Sequence, residues 1–141
     1  MKNLNEDIPL IEHFANNTIE KFIESHGMPS SIGFYCCPWC SWLTINFNLD
    51  STLGKANFNC PDFQFVDFGI LDFPDWEEEY NKEYPIFMVD NVAITCNHYL
   101  GDENLNELIF NFLQPIVSRL KDKYKASFLL QLLDTGFATV V

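Results

Sequence analysis

Hydrophobic spacing changes period along this chain, and that change limits what it can build. Ile8, Ile11, Ala15, Ile19, Phe22 and Ile23 recur at three- and four-residue intervals, the buried stripe of an amphipathic helix. Asp7 is placed to cap that helix, Pro9 suits its first turn, and Gly27 followed by Met28-Pro29 ends it. Glu12, Glu20, Lys21 and Glu24 then face water. From residue 31 the period falls to two. Ser31–Cys37 reads as a strand, and Trp42–Asn48 alternates apolar with polar as a half-buried strand does. Asp50 to Lys55 reads as a turn or loop, and 56–60 as a further strand.

A second helix is predicted within the acidic segment that follows. Asp75 is its expected cap, with Glu78 three residues on as in a capping box. Glu77, Glu78 and Glu79 suit the positive end of the helix dipole. Glu78 and Lys82, four apart, make a supporting pair, and Pro85 stops the helix. Ile86–Val89 and Val92–Cys96 read as short strands around an Asp90-Asn91 turn. A third helix starts near Asp102, with Leu105, Leu108, Ile109, Phe112, Ile116, Leu120 and Tyr124 as its stripe. Pro115 removes one of its hydrogen bonds and should kink it. Its basic end, Arg119, Lys121, Lys123 and Lys125, reads as a solvated face. Residues 127–133 fit a helix or a buried strand, with the strand favoured, and Asp134-Thr135-Gly136 turns into 137–141. The expectation is one domain over 1–141, of the α+β class, with an antiparallel sheet and helices packed mainly on one face.

With 141 residues, 48% of them apolar and 14 of them Phe, the chain can fill a core without metal or disulfide. No apolar run approaches the roughly 20 residues of a membrane span. Met1 to Asp7 lacks a basic start followed by an apolar stretch, so no secretory signal is expected and a cytoplasmic address follows. In that compartment the five cysteines should be reduced.

Cys37-Pro38-Trp39-Cys40 can be a redox couple or half of a zinc site. A redox pair normally opens a helix, whereas this one sits between two strands. Zinc would need Cys60 and then Cys96 or His98 to complete four ligands, and the second knuckle holds only one cysteine. The plainer expectation is small buried apolar thiols in a turn. Cys96 and His98 share a strand face, yet no oxyanion-hole loop accompanies them. His13 and His26 have no nucleophile nearby in sequence. No phosphate-binding glycine loop, Gly-x-Ser-x-Gly or His-Glu-x-x-His occurs, so no catalytic residues, no enzyme activity and no cofactor are expected.

The net charge is −12, and residues 62–90 carry nine acids against Lys82 alone, a net of −8. Such a field repels nucleic acid and anionic lipid and attracts basic surfaces. Asp72, Asp75, Glu77, Glu78 and Glu79 are expected at the surface because carboxylates are rarely buried. Trp76 and Tyr80, four apart, would add aromatic anchors for Arg and Lys. The rival reading is a solvated acidic helix whose Trp76 packs inward.

The block Phe73-Pro74-Asp75-Trp76-Glu77-Glu78-Glu79-Tyr80, within a helix–sheet–helix order, resembles the bacterial immunity proteins of contact-dependent growth inhibition and related polymorphic-toxin systems. The resemblance implies a cytoplasmic protein that neutralises a cognate basic toxin domain, often a nuclease, by competing for the cations that recruit nucleic acid. The partner contact would be Asp72, Asp75, Trp76, Glu77, Glu78, Glu79, Tyr80 and Glu83. A zinc-binding or thiol-dependent protein built on Cys37, Cys40 and Cys60, and an acidic adaptor or nucleic-acid mimic, are the alternatives.

Overall fold

The computed structural model describes residues 1–51, 58–96 and 102–141. Strand β1 (Lys2–Asn3) leads through a 3-10 turn (Leu4–Asp7) into helix α1 (Ile8–His26). Strands β2 (Ser31–Cys37) and β3 (Trp42–Asn48) form a hairpin. A second 3-10 turn (Cys60–Asp62) precedes β4 (Phe65–Asp72), α2 (Pro74–Tyr80), β5 (Ile86–Val89) and β6 (Val92–Thr95). Helix α3 (Glu103–Lys123) and strands β7 (Ser127–Leu132) and β8 (Ala138–Val140) finish the chain. Residues 56 and 57 of the expected strand at 56–60 lie outside the described residues; Cys60 instead opens the 3-10 turn, with Pro61 fixing its backbone. His98 also lies outside the described residues. Among the described residues, no helix is long and apolar enough to cross a membrane.

The class is α+β, and the strands form two sheets, one ordered β4-β3-β2-β7-β8 and the other β1-β5-β6. Most pairings are antiparallel. Among the described residues two are parallel, β2 with β7 and β1 with β5. The β2–β7 pair follows from α3, which packs along the sheet and delivers the chain so that Ser127 pairs with Ser31 and Phe128 with Ile32.

Strand alternation sorts the sheet into two faces. Ile32, Phe34 and Cys36 of β2, Leu43, Ile45 and Phe47 of β3, and Phe128, Leu130 and Leu132 of β7 meet the stripes of α1 and α3 in one core. The helices thus cover one face. The segment Cys60–Gln64 covers the other, where Cys60, Phe63 and Leu129 form a smaller cluster. Asn46 and Asn48 are buried on that second face, and both are hydrogen-bonded. Asn46 donates to the Gly33 carbonyl at 3.2 Å and accepts from the Asp67 amide at 2.7 Å, while Asn48 accepts from the Gln64 amide at 2.8 Å. Polar residues on a half-buried strand thus serve as staples for the covering segment.

Gly27 ends α1 with φ 85°, and its amide bonds back to Ile23 at 2.8 Å. Asp90 and Asn91, at φ 49° and 66°, make the left-handed pair that a two-residue hairpin requires. The basic end of α3 is more than a solvated face. Arg119 donates to Glu12 of α1 at 2.8 Å, and the Tyr124 hydroxyl lies 3.0 Å from both Asn16 and Glu20.

Gly69 is a point of close approach between β4 and α1. A Cβ there would lie 2.5 Å from Thr18 Cγ2 and 2.8 Å from its Oγ1. Thr18 is β-branched on a helix and has few χ1 rotamers, so it has little room to swing aside. Gly69→Ala is expected to destabilise the fold by about 1–3 kcal/mol, read as a lower urea midpoint.

Candidate functional site

Helix α2 has only seven residues, too few to persist alone in water. Its position therefore depends on what it touches. Pro74 occupies the first helical position and Phe73 the cap, with no side-chain capping bond. Asp75, expected as the cap, lies inside the first turn and is exposed. The expected capping box is absent because Pro74 already sets the helix start.

Three inward side chains hold the helix. Trp76 is fully buried and stacks on Phe73, with ring centroids 3.8 Å apart and planes 6° from parallel. Its indole N–H donates to Asp7 Oδ2 at 2.8 Å. The other oxygen of Asp7 accepts from the Lys2 ammonium at 3.2 Å. Asp7 therefore does not cap α1 with its side chain, as its position in sequence suggests, because its carboxylate is engaged by β1 and α2.

Glu79 is the second inward group. One oxygen lies 2.7 Å from the Met1 amine and 3.0 Å from the Lys82 ammonium, and the other accepts the Ile86 amide at 3.1 Å. Burial alone pushes this carboxyl up. The Met1 amine, the Ile86 amide and Lys82 outweigh it, leaving the pKa lowered to about 2. The expected Glu78–Lys82 pair is replaced by Glu79–Lys82, since Glu79 faces the strand side. Tyr80 is the third, half-buried, its hydroxyl donating to the Asp102 carboxylate. Burial first, then that bond, raises the tyrosine's pKa.

Of the eight residues expected at a partner surface, five are exposed: Asp72, Asp75, Glu77, Glu78 and Glu83. Trp76 and Glu79 are corrections, because both lie inside and support the surface from beneath. Phe73, Trp76 and Tyr80, spaced by three and four, form the inward stripe, a helical period visible in the sequence. Of the anchors that sequence reasoning missed, Asp7 carries no local signal because its partner Trp76 is 69 positions away, and Lys2 joins the set only through Asp7.

The remaining acids of 62–90 are elsewhere. Asp62 accepts from Asn59 at 2.8 Å beside the second 3-10 turn, and Asp90 accepts from Asn5 at 2.9 Å. Asp67 sits in the irregular part of β4 at φ 54°. It lies on the side of Tyr35, whose hydroxyl is pushed up by burial first and then by Asp134, Cys60 and Asp67. The cations around α2 are paired with carboxylates. Lys2 is 3.7 Å from Asp75 but nearly buried, and Lys82 is held by Glu79. What faces water is mostly carboxylate.

Cys37 and Cys40 are joined as a disulfide, so the expectation of five reduced cysteines is corrected for this pair. Their positions at the two ends of a tight turn bring the sulfurs together. Cys36, Cys60 and Cys96 are free and buried. Burial pushes the Cys36 and Cys60 thiols up, and burial followed by Asp102 and Glu79 pushes Cys96 up to about 12. None of these three is a ready thiolate near neutrality. Cys60 packs over Gly33, four positions before Cys37 and about 13 Å back along the strand. The set Cys37, Cys40 and Cys60 is therefore not gathered. Among the described residues no group of three or more His, Cys, Asp or Glu is placed to hold a metal ion.

Comparison with protein-family models, with curated proteins and with solved structures finds no match for this chain.

Proposed function

We propose that this protein is a binding protein of the immunity type, which neutralises a basic toxin domain, a nuclease by preference, through the outward side of α2. The observation that carries the reading is the division of charge around that helix. Lys2 is nearly buried against Asp7, and the half-exposed Met1 amine and Lys82 are both paired with Glu79, so Asp72, Asp75, Glu77, Glu78 and Glu83 outnumber the exposed cations there. A short helix pinned by Trp76 holds Asp75, Glu77 and Glu78 in place before a partner arrives, with Asp72 just before it and Glu83 just after, which lowers the ordering cost of binding. Opposite charge also accelerates encounter with a cationic surface. A basic nuclease domain offers such a surface, because it attracts nucleic acid through the same Lys and Arg side chains.

The test uses the C-terminal domain of a secreted protein encoded immediately upstream of this gene. Co-expression should restore growth to cells producing that domain, and the purified chains should associate tightly at physiological salt. Glu77→Lys combined with Glu78→Lys should leave stability within about 1 kcal/mol, since both residues are exposed. It should slow association by about tenfold or more at low salt, measured by stopped-flow or surface plasmon resonance. Unchanged association rates at low salt would remove α2 as the contact. Equal affinity for several unrelated basic proteins, with a steep salt dependence, would instead favour the acidic mimic.

A further inference from the structure

We infer that the Cys37-Pro38-Trp39-Cys40 turn is a thiol–disulfide exchange site, whose substrates are low-molecular-weight thiols of the glutathione class and their disulfides. The pair occupies the tip of the β2–β3 hairpin, where Cys37 is paired with Trp42 at the last rung of the ladder. Its two halves differ in access. Cys37 is fully buried, whereas Cys40 is exposed. An incoming thiol therefore meets Cys40 first. The Cys40 backbone N–H points back at Cys37 Sγ, 3.2 Å away. This places a hydrogen-bond donor on the sulfur that must leave as a thiolate, and donors of that kind favour the charged form.

The exchange balances in two steps. A thiolate RS⁻ attacks Cys40 Sγ, forming an R–S–Sγ bond while the Cys37–Cys40 bond breaks. The electron pair goes to Cys37 Sγ, which accepts the Cys40 N–H and later takes a proton from solvent. A second thiolate attacks the R sulfur, releasing RSSR and the Cys40 thiolate. In sum, the protein disulfide is reduced to a dithiol and two RSH are oxidised to RSSR; the reverse reaction uses RSSR as the oxidant. The other three cysteines do not compete, being buried and with raised thiol pKa values.

The test incubates the full-length native chain with a series of reduced and oxidised glutathione mixtures, quenches with acid, alkylates and reads intact mass. Cys37 and Cys40 should titrate together in one two-electron transition, while Cys36, Cys60 and Cys96 become reactive only after unfolding. Cys37→Ala should leave an exposed Cys40 that takes up one glutathione. Cys40→Ser should leave a shielded Cys37 that reacts slower by on the order of tenfold or more. Cys40 is exposed, so Cys40→Ser tests the claim even if Cys37→Ala does not fold. A pair that glutathione reduces only once the chain unfolds would make the bond purely structural and overturn the assignment. Equal adduct rates in the two variants would overturn it as well.

Discussion

Trp76→Ala is expected to lower the unfolding free energy by about 3–5 kcal/mol, a large part of the 5–15 kcal/mol typical of a domain. The side chain is fully buried, so its removal leaves a cavity beneath α2 and breaks the stack on Phe73. It also strips Asp7 of the indole donor, leaving that carboxylate to Lys2 alone. Trp76→Phe shifts the weight onto the hydrogen bond, since it deletes the N–H while keeping an aromatic ring and most of the apolar volume. It should cost about 1–3 kcal/mol, because a buried charged acceptor loses a partner. In a double-mutant cycle with Asp7→Asn, the paired change should cost less than the sum of the single ones by about 0.5–3 kcal/mol. Urea titrations on the four chains provide the measurement, with Trp39 and Trp42 left as fluorescent reporters. Additive effects would show that the Trp76–Asp7 contact adds nothing beyond packing.

That contact also marks where sequence reasoning stops. The stripes of α1 and α3 and the strands β2 and β3 were legible, because each buries a face whose period is written locally, whereas 127–132 fitted helix or strand and was found as the favoured strand. Asp7 was not, because a cap signal and a distant indole compete for one carboxylate, and the indole wins inside the core. The parallel β2–β7 pair was unreadable for a related reason, since pairing depends on how α3 crosses the sheet rather than on either strand. Around α2 the charge pattern located the segment, but the rule that carboxylates stay outside misplaced Glu79. Two cations and an amide converge on it, and a carboxylate with that many donors can be buried. The Cys-x-x-Cys spacing permitted the disulfide, but its place between two strands, the plainer reading of buried apolar thiols and the argument from compartment all spoke against it.

Glu79 provides the second large effect, and its sign is fixed by its surroundings. Its carboxyl titrates at about 2 when folded, against 4.5 for a free side chain. A depressed folded pKa contributes stability that is fully present above about 4.5 and is lost as the pH falls towards about 2. The gap is equivalent to about 3 kcal/mol. Unfolding free energies of the native chain and of Glu79→Gln, measured by urea titration across this range, should therefore differ most at pH 5 and above and converge near pH 2. The glutamine keeps an oxygen for the Ile86 amide but no charge for the Met1 amine and Lys82. Glu79→Lys goes further, setting a third cation against those two in a buried place, with an expected cost of about 3–5 kcal/mol. The same charge reversal at Glu77 or Glu78, each one helical position or two away and exposed, should cost about 1 kcal/mol or less. A difference between native chain and Glu79→Gln that stays flat from pH 6 to pH 2 would mean that Glu79 does not hold its charge in the fold.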